Sequence, residues 1–109
     1  MKIAINECYG EFCISEILFD WLLEKNCPEA IAYKSTWDTI KDNKLFKGTI
    51  NLEIARDNPL FIEGIETLGY LADGRFSELK IVEIPDDVEW VIEEYDGMEW
   101  VAEKHRIWG

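Results

Sequence analysis

Residues 88–104 read VEWVIEEYDGMEWVAEK, and this stretch decides the fold class. Two runs rich in β-branched and aromatic residues flank Asp96 and Gly97, and an Asp-Gly pair in this position is a strong signal for a two-residue hairpin turn. The stretch therefore predicts two antiparallel strands, over 88–95 and 98–104. Because side chains alternate along a strand, one face of the hairpin is predicted to be buried, with Trp90, Ile92, Trp100 and Ala102. The opposite face is predicted to carry Glu89, Val91, Glu93 and Tyr95.

Two helices are predicted from capping residues and from the spacing of apolar side chains. Ser15 precedes a run to Lys25 in which the apolar residues fall on one helical face. Asn58 is a favourable cap, Pro59 suits the first helical position, and Gly69 is the expected stop.

Further extended segments are predicted outside the hairpin. Residues 2–6 and 79–84 are short apolar runs typical of strands. Residues 28–50 carry weak signals, with a candidate strand over 30–33. Residues 49–54 alternate well enough for a brief strand or extended segment.

The length of 109 residues suits one domain, which we expect to span residues 1–109. The order of elements predicts an α+β fold, with two helices packed on a small, mainly antiparallel sheet that ends in a C-terminal β-meander or hairpin. No apolar run approaches the roughly 18 residues that span a bilayer. Glu7 stands where a signal peptide would continue its apolar core, so we expect a cytoplasmic protein.

The charge balance points to basic partners. The chain has 23 acids and 11 bases, a formal net charge of −12. Such a field disfavours direct binding of nucleic acid or an anionic membrane and attracts basic proteins. The leading hypothesis is a stoichiometric binding protein whose acidic hairpin docks on a basic surface. Its predicted binding residues are Glu89, Glu93, Glu94, Asp96 and Glu99, with Trp100 as an anchor.

The alternative hypothesis is a protein that sequesters a small nucleotide. A strand, a glycine-containing loop and a helix start can cradle an anion, arginine binds phosphate, and aromatic rings stack on bases. The predicted pocket combines the first β–α loop, Arg56 and the C-terminus. Its residues are Cys8, Tyr9, Gly10, Phe12, Arg56, His105, Arg106 and Trp108.

Enzymatic and metal chemistry are less favoured by the residues present. A thiolate at Cys8 activated by His105, the single histidine, is the third hypothesis. Cys8, Cys13 and His105 lack the spacing of a zinc chelate, and the three cysteines form an odd set without a Cys-x-x-Cys pair. Glu93 and Glu94 point to opposite faces of a strand and cannot form one acid–base pair. We therefore expect a non-enzymatic protein without a metal or cofactor.

Several segments together resemble a family of small phage and prophage proteins, most of them of unassigned function. They are CYGEF at 8–12, RDNPL at 56–60, LKIVEIPDDVEW at 79–90, EYDGMEWVAEKHR at 94–106 and HRIW at 105–108. Family members carry a second glycine where this chain has Glu11, which weakens the case for an anion-binding loop. The resemblance implies a phage context and no particular reaction. It suggests an inhibitor of a host defence system, with a nuclease or similar basic protein as partner.

Overall fold

A computed structural model describes residues 1–10, 12–38, 50–75 and 77–103. Within these residues the chain forms α-helices, one 3-10 turn and β-strands. In chain order they are β1 (Lys2–Asn6), α1 (Glu16–Glu24), α2 (Pro28–Asp38), α3 (Pro59–Leu68), the 3-10 turn (Gly69–Ala72), β2 (Leu79–Glu83), β3 (Trp90–Tyr95) and β4 (Met98–Glu103).

The strands form two separate antiparallel pairs. β1 pairs with β2, from Lys2 opposite Glu83 to Asn6 opposite Leu79. β3 pairs with β4 around a turn in which Asp96 and Gly97 both have positive φ, as the predicted hairpin requires. The α+β class and the C-terminal hairpin are confirmed. β2 does not extend the hairpin into a meander, because its described partner is β1.

Local capping chemistry produces α1 and α3 as predicted. The hydroxyl of Ser15 accepts a hydrogen bond from the Leu18 amide at 3.0 Å, which begins α1. The side chain of Asn58 accepts from the amides of Leu60 and Phe61 at 2.9 and 3.2 Å, and Pro59 follows it. Gly69, with φ of +58°, ends α3.

The predicted strand over 30–33 is wrong, because these residues belong to α2. Pro28 occupies the first helical position, where its missing N–H costs nothing. Ala30 is fully buried while its neighbour Ile31 is exposed. In the 49–54 segment only Ile50 forms a bridge, with Ile14, and the rest of its described part is irregular.

The apolar core lies between the helices and β1. Phe61 is fully buried and meets Phe12 edge to face, with 6.0 Å between ring centroids. The buried cluster consists of Ala4, Phe12, Ile14, Leu18, Leu22, Cys27, Ala30, Ile50, Leu52, Phe61, Ile62, Ile65 and Ala72. It contains no described residue of the hairpin, so the β3–β4 pair is attached to the body by other contacts.

Candidate functional site

An ion pair between Arg56 and Glu99 joins the hairpin to the body. Nη1 and Nη2 of Arg56 donate to Oε1 and Oε2 of Glu99 at 2.6 and 3.0 Å, which is bidentate geometry. Nη1 also donates to the carbonyl of Ala4 on β1 at 3.2 Å. The side chain of Glu99 is only 7% exposed and that of Arg56 20%. The two charges therefore neutralise each other in a largely desolvated setting.

Two further contacts complete the surroundings of this pair. The guanidinium carbon of Arg56 lies 3.5 Å from the ring centroid of Phe12, a cation–π contact. The backbone amide of Asn6 donates to Glu99 Oε1 at 2.8 Å. The carboxylate of Glu99 thus accepts hydrogen bonds from the backbone of β1 as well as from Arg56.

The side chain of Asn6 fixes the hairpin turn against the first loop. This fully buried amide donates to the carbonyls of Cys8, Gly10 and Gly97 at 3.1, 3.3 and 2.9 Å. Its oxygen accepts from the amide of Glu78 at 3.0 Å. Gly97 has φ of +88°, and a Cβ there would overlap the carbonyl oxygen of Gly10. The hairpin is therefore held by polar contacts and close backbone approach.

A cleft of about 650 Å³ opens between the first loop, residues 51–56 and the hairpin. Apolar side chains contribute to its wall, namely Phe12, Leu52 and Ile54. Carboxylates also line it, namely Glu53, Glu94, Asp96 and Glu99. Arg56 is the one described base in the lining, and Glu99 already binds it. The negative balance favours a cationic occupant over an anionic one.

The residues of the nucleotide hypothesis are only partly brought together. Gly10, Phe12 and Arg56 line the cleft, whereas Cys8 and Tyr9 do not. The remaining predicted residues, His105, Arg106 and Trp108, lie outside the described residues. Because the guanidinium is occupied and the cleft is acidic, these surroundings disfavour a phosphate ligand.

The prediction that Glu99 is an exposed docking charge is wrong. In the hairpin register Glu99 stands opposite Glu94, on the face that looks toward the cleft and Arg56. The other predicted carboxylates are exposed, namely Glu89, Glu93, Glu94 and Asp96. They do not form one surface, since Glu94 and Asp96 line the cleft and Glu93 lies on the opposite face of the hairpin.

The prediction that Trp100 shares a face with Trp90 and Ile92 is also wrong. The turn at 96–97 pairs Glu93 with Trp100, and directly opposed residues point to the same side of an antiparallel sheet. The same register places Ala102 beside Val91. We call this side of the hairpin, formed by Val91, Glu93, Tyr95, Met98, Trp100 and Ala102, the outer face.

The outer face presents apolar surface around a carboxylate. Tyr95 is 67% exposed, Trp100 43% and Val91 36%. The indole Nε1 of Trp100 donates to Oε2 of Glu93 at 3.1 Å. Large exposed aromatic residues beside a charge are typical of protein interfaces.

The enzymatic and metal readings gain no support from the described residues. Cys8 is half-buried and Cys13 buried, and both are free thiols, while His105 lies outside the described part. Among residues 1–10, 12–38, 50–75 and 77–103, no group of three potential ligands could hold a metal ion. None of the helices described is long and apolar enough to cross a membrane.

A surface ion pair links β1 to α3 away from the cleft. Nζ of Lys2 donates to Oε2 of Glu66 at 2.8 Å. This hydrogen bond and the accompanying charge attraction raise the pKa of Lys2. The pair is exposed, so we expect it to contribute little to the free energy of unfolding.

Comparison with known proteins gives no indication of function, so the functional argument depends on the site alone. No family model matches the chain, and no curated protein or solved structure is significantly similar to it.

Proposed function

We propose that this chain is a non-enzymatic binding protein that uses its C-terminal hairpin to occupy a basic surface on a protein partner. The observation that carries the proposal is the outer face, where exposed Trp100 and Tyr95 surround the carboxylate of Glu93. Arg56 is paired with Glu99 on the other side of the hairpin.

Charge supplies the first part of the recognition. The formal net charge of −12 draws a basic protein toward the chain. Near contact, the exposed carboxylates of Glu89 and Glu93 meet lysine and arginine side chains of the partner. Electrostatic complementarity of this kind accelerates association and excludes acidic surfaces.

Aromatic surface supplies the second part. Trp100 and Tyr95 are large side chains with exposed surface to bury against a partner. Their burial stabilises a complex after the charges have brought the surfaces together. A purely solvating acidic face would not need tryptophan and tyrosine exposed at its centre.

The phage-type resemblance of the sequence indicates which basic proteins to test first. A host defence nuclease in the bacterial cytoplasm carries a basic channel for nucleic acid, and an acidic hairpin seated in that channel would block it stoichiometrically. This partner class follows from the resemblance and from charge complementarity together.

Charge reversal on the hairpin tests the proposal. The variant carries Glu89→Lys and Glu93→Lys, and its binding to a fluorescent oligolysine peptide is measured by anisotropy at low and at physiological salt. We expect affinity to fall by about tenfold, because attraction is replaced by repulsion at both positions. Circular dichroism should show the same fold as the unchanged chain.

A matched variant separates the hairpin from net charge. Asp20→Lys and Glu63→Lys change exposed acids on α1 and α3, so both variants carry the same formal net charge. We expect this control to bind the peptide several times more tightly than the hairpin variant. Equal loss in the two variants would refute the hairpin as the binding surface.

A further inference from the structure

The protein contains its own example of how an arginine is held. The guanidinium of Arg56 lies on the ring of Phe12 at 3.5 Å and is gripped by both oxygens of Glu99. An aromatic face and a carboxylate edge together match the two ways in which a planar guanidinium interacts, by stacking and by paired hydrogen bonds.

The outer face carries the same two groups side by side. Trp100 and Glu93 are cross-strand neighbours, and the bond from Nε1 to Oε2 places the indole beside the carboxylate. Oε1 of Glu93 accepts no hydrogen bond from any described residue. No lysine or arginine in the described part of the chain lies over the Trp100 ring, in contrast to Trp21 and Phe12, which each have one.

We infer that the outer face binds an arginine side chain of the partner, with the guanidinium stacked on Trp100 and hydrogen-bonded to Glu93. Val91 and Tyr95 flank this position and would contact the aliphatic stem of the arginine. The inference rests on the proposed function and narrows it from a basic surface to a surface that presents arginine.

Other occupants fit this face less well. A second copy of the chain would bring another protein of formal net charge −12 against it, so like charges would oppose association. Lysine pairs with Glu93 as a point charge but cannot stack as a plane, and it is more strongly hydrated. An arginine on a basic protein satisfies both the indole and the carboxylate.

The test compares oligoarginine and oligolysine peptides of equal length and charge, titrated into the full chain by calorimetry. We expect the unchanged chain to prefer oligoarginine by about two- to threefold, because both cations are attracted to the indole but only the guanidinium can also stack on it as a plane. The indole N–H resonance of Trp100 should shift more with oligoarginine than with oligolysine.

Three variants locate this preference. Trp100→Leu and Glu93→Gln each remove one of the two groups, and we expect both to lower the ratio of the two affinities toward one. Glu94→Gln removes the same charge from the neighbouring residue on the opposite face of the hairpin, and we expect it to keep the preference. Glu93→Gln alters only an exposed side chain, so it tests the inference even if Trp100→Leu reduces stability.

The outcomes separate this inference from the proposed function. Loss of preference in Trp100→Leu and Glu93→Gln, with preference kept in Glu94→Gln, supports the arginine site. An unchanged chain without preference, or an equal effect of Glu93→Gln and Glu94→Gln, overturns it. If charge reversal on the hairpin still weakens both peptides in that case, the arginine site fails while the proposed function stands.

Discussion

Replacing Glu99 by glutamine probes the contact that holds the hairpin to the body. The substitution keeps the size of the side chain but removes the negative charge that binds Arg56 at 2.6 and 3.0 Å. The new amide has one oxygen to share between Arg56 and the Asn6 amide, and its NH₂ group would face a donor. A guanidinium that is only 20% exposed would remain without its counter-charge.

The expected loss of stability follows from this burial. Removing one partner of a buried ion pair costs about 3–5 kcal/mol. Arg56 keeps the carbonyl of Ala4 and the ring of Phe12 and is partly reached by water, so we expect the lower end, about 3 kcal/mol. A domain of this size would then melt more than about 10 °C earlier.

Urea unfolding followed by circular dichroism measures this loss. Glu94→Gln is the matched control, because Glu94 lies directly opposite Glu99 and is exposed. We expect the control to stay within about 0.5 kcal/mol of the unchanged chain. The double variant Arg56→Met with Glu99→Gln should regain much of the loss, because no charge is left buried and the glutamine oxygen still accepts from the amide of Asn6.

Two results would refute this reasoning. If Glu99→Gln unfolds at the same urea concentration as Glu94→Gln, the ion pair does not hold the hairpin in solution. If the double variant is no more stable than Glu99→Gln alone, the loss of stability does not come from an unpaired Arg56.

Two further predictions concern backbone geometry and titration. Gly97→Ala should destabilise the protein by well over the roughly 1–3 kcal/mol of backbone strain, because the added Cβ overlaps the carbonyl of Gly10. Gly69 also has positive φ but has open space around it, so Gly69→Ala should show the strain alone in thermal melts. Equal effects of the two variants would contradict the close approach of Gly97 to Gly10. The hydrogen bond and charge of Glu66 raise the pKa of Lys2, so the pair's small contribution to folding stability is present below the ordinary lysine pKa and is lost as pH rises through the folded-state value. Glu66→Gln should lower the pKa of Lys2 in an NMR titration, and an unchanged pKa would exclude the contact.

The elements that the sequence predicts well are those with local chemical signals. Ser15 and Asn58 begin helices because their side chains accept hydrogen bonds from amides within the next few residues. Asp96 and Gly97 mark the turn because a tight hairpin of this type needs positive φ at both positions, and few residue types adopt positive φ easily. Such signals act over a few residues and are visible in a single sequence.

Helix α2 lacks a comparable signal. Residues 30–33 are too few and too apolar to distinguish a strand from a helix by periodicity. The choice depends on what they touch, since Ala30 enters the core and Tyr33 meets Phe19 edge to face at 5.5 Å. These are tertiary contacts, and they override weak local preference.

At the candidate site, the sequence implies the two faces of the hairpin but not the contact between Arg56 and Glu99. Pairing around the turn at 96–97 already implies that Trp100 lies beside Glu93 and that Glu99 faces the other way, so the sequence contains the two faces of the hairpin. The partner of Glu99 is different, because Arg56 is 43 residues away along the chain. No spacing rule connects an arginine before one helix to a glutamate in a distant strand.

The separation of the hairpin from the apolar core has a consequence for how this protein can change over time. Asn6, Arg56, Gly97 and Glu99 connect the hairpin to the body through specific hydrogen bonds and one close backbone approach, and we call these four residues the joint. The outer face shares none of its described residues with the core cluster. Its side chains can therefore be exchanged one at a time as a binding partner alters its surface, while the helices and the joint continue to fold in the same way.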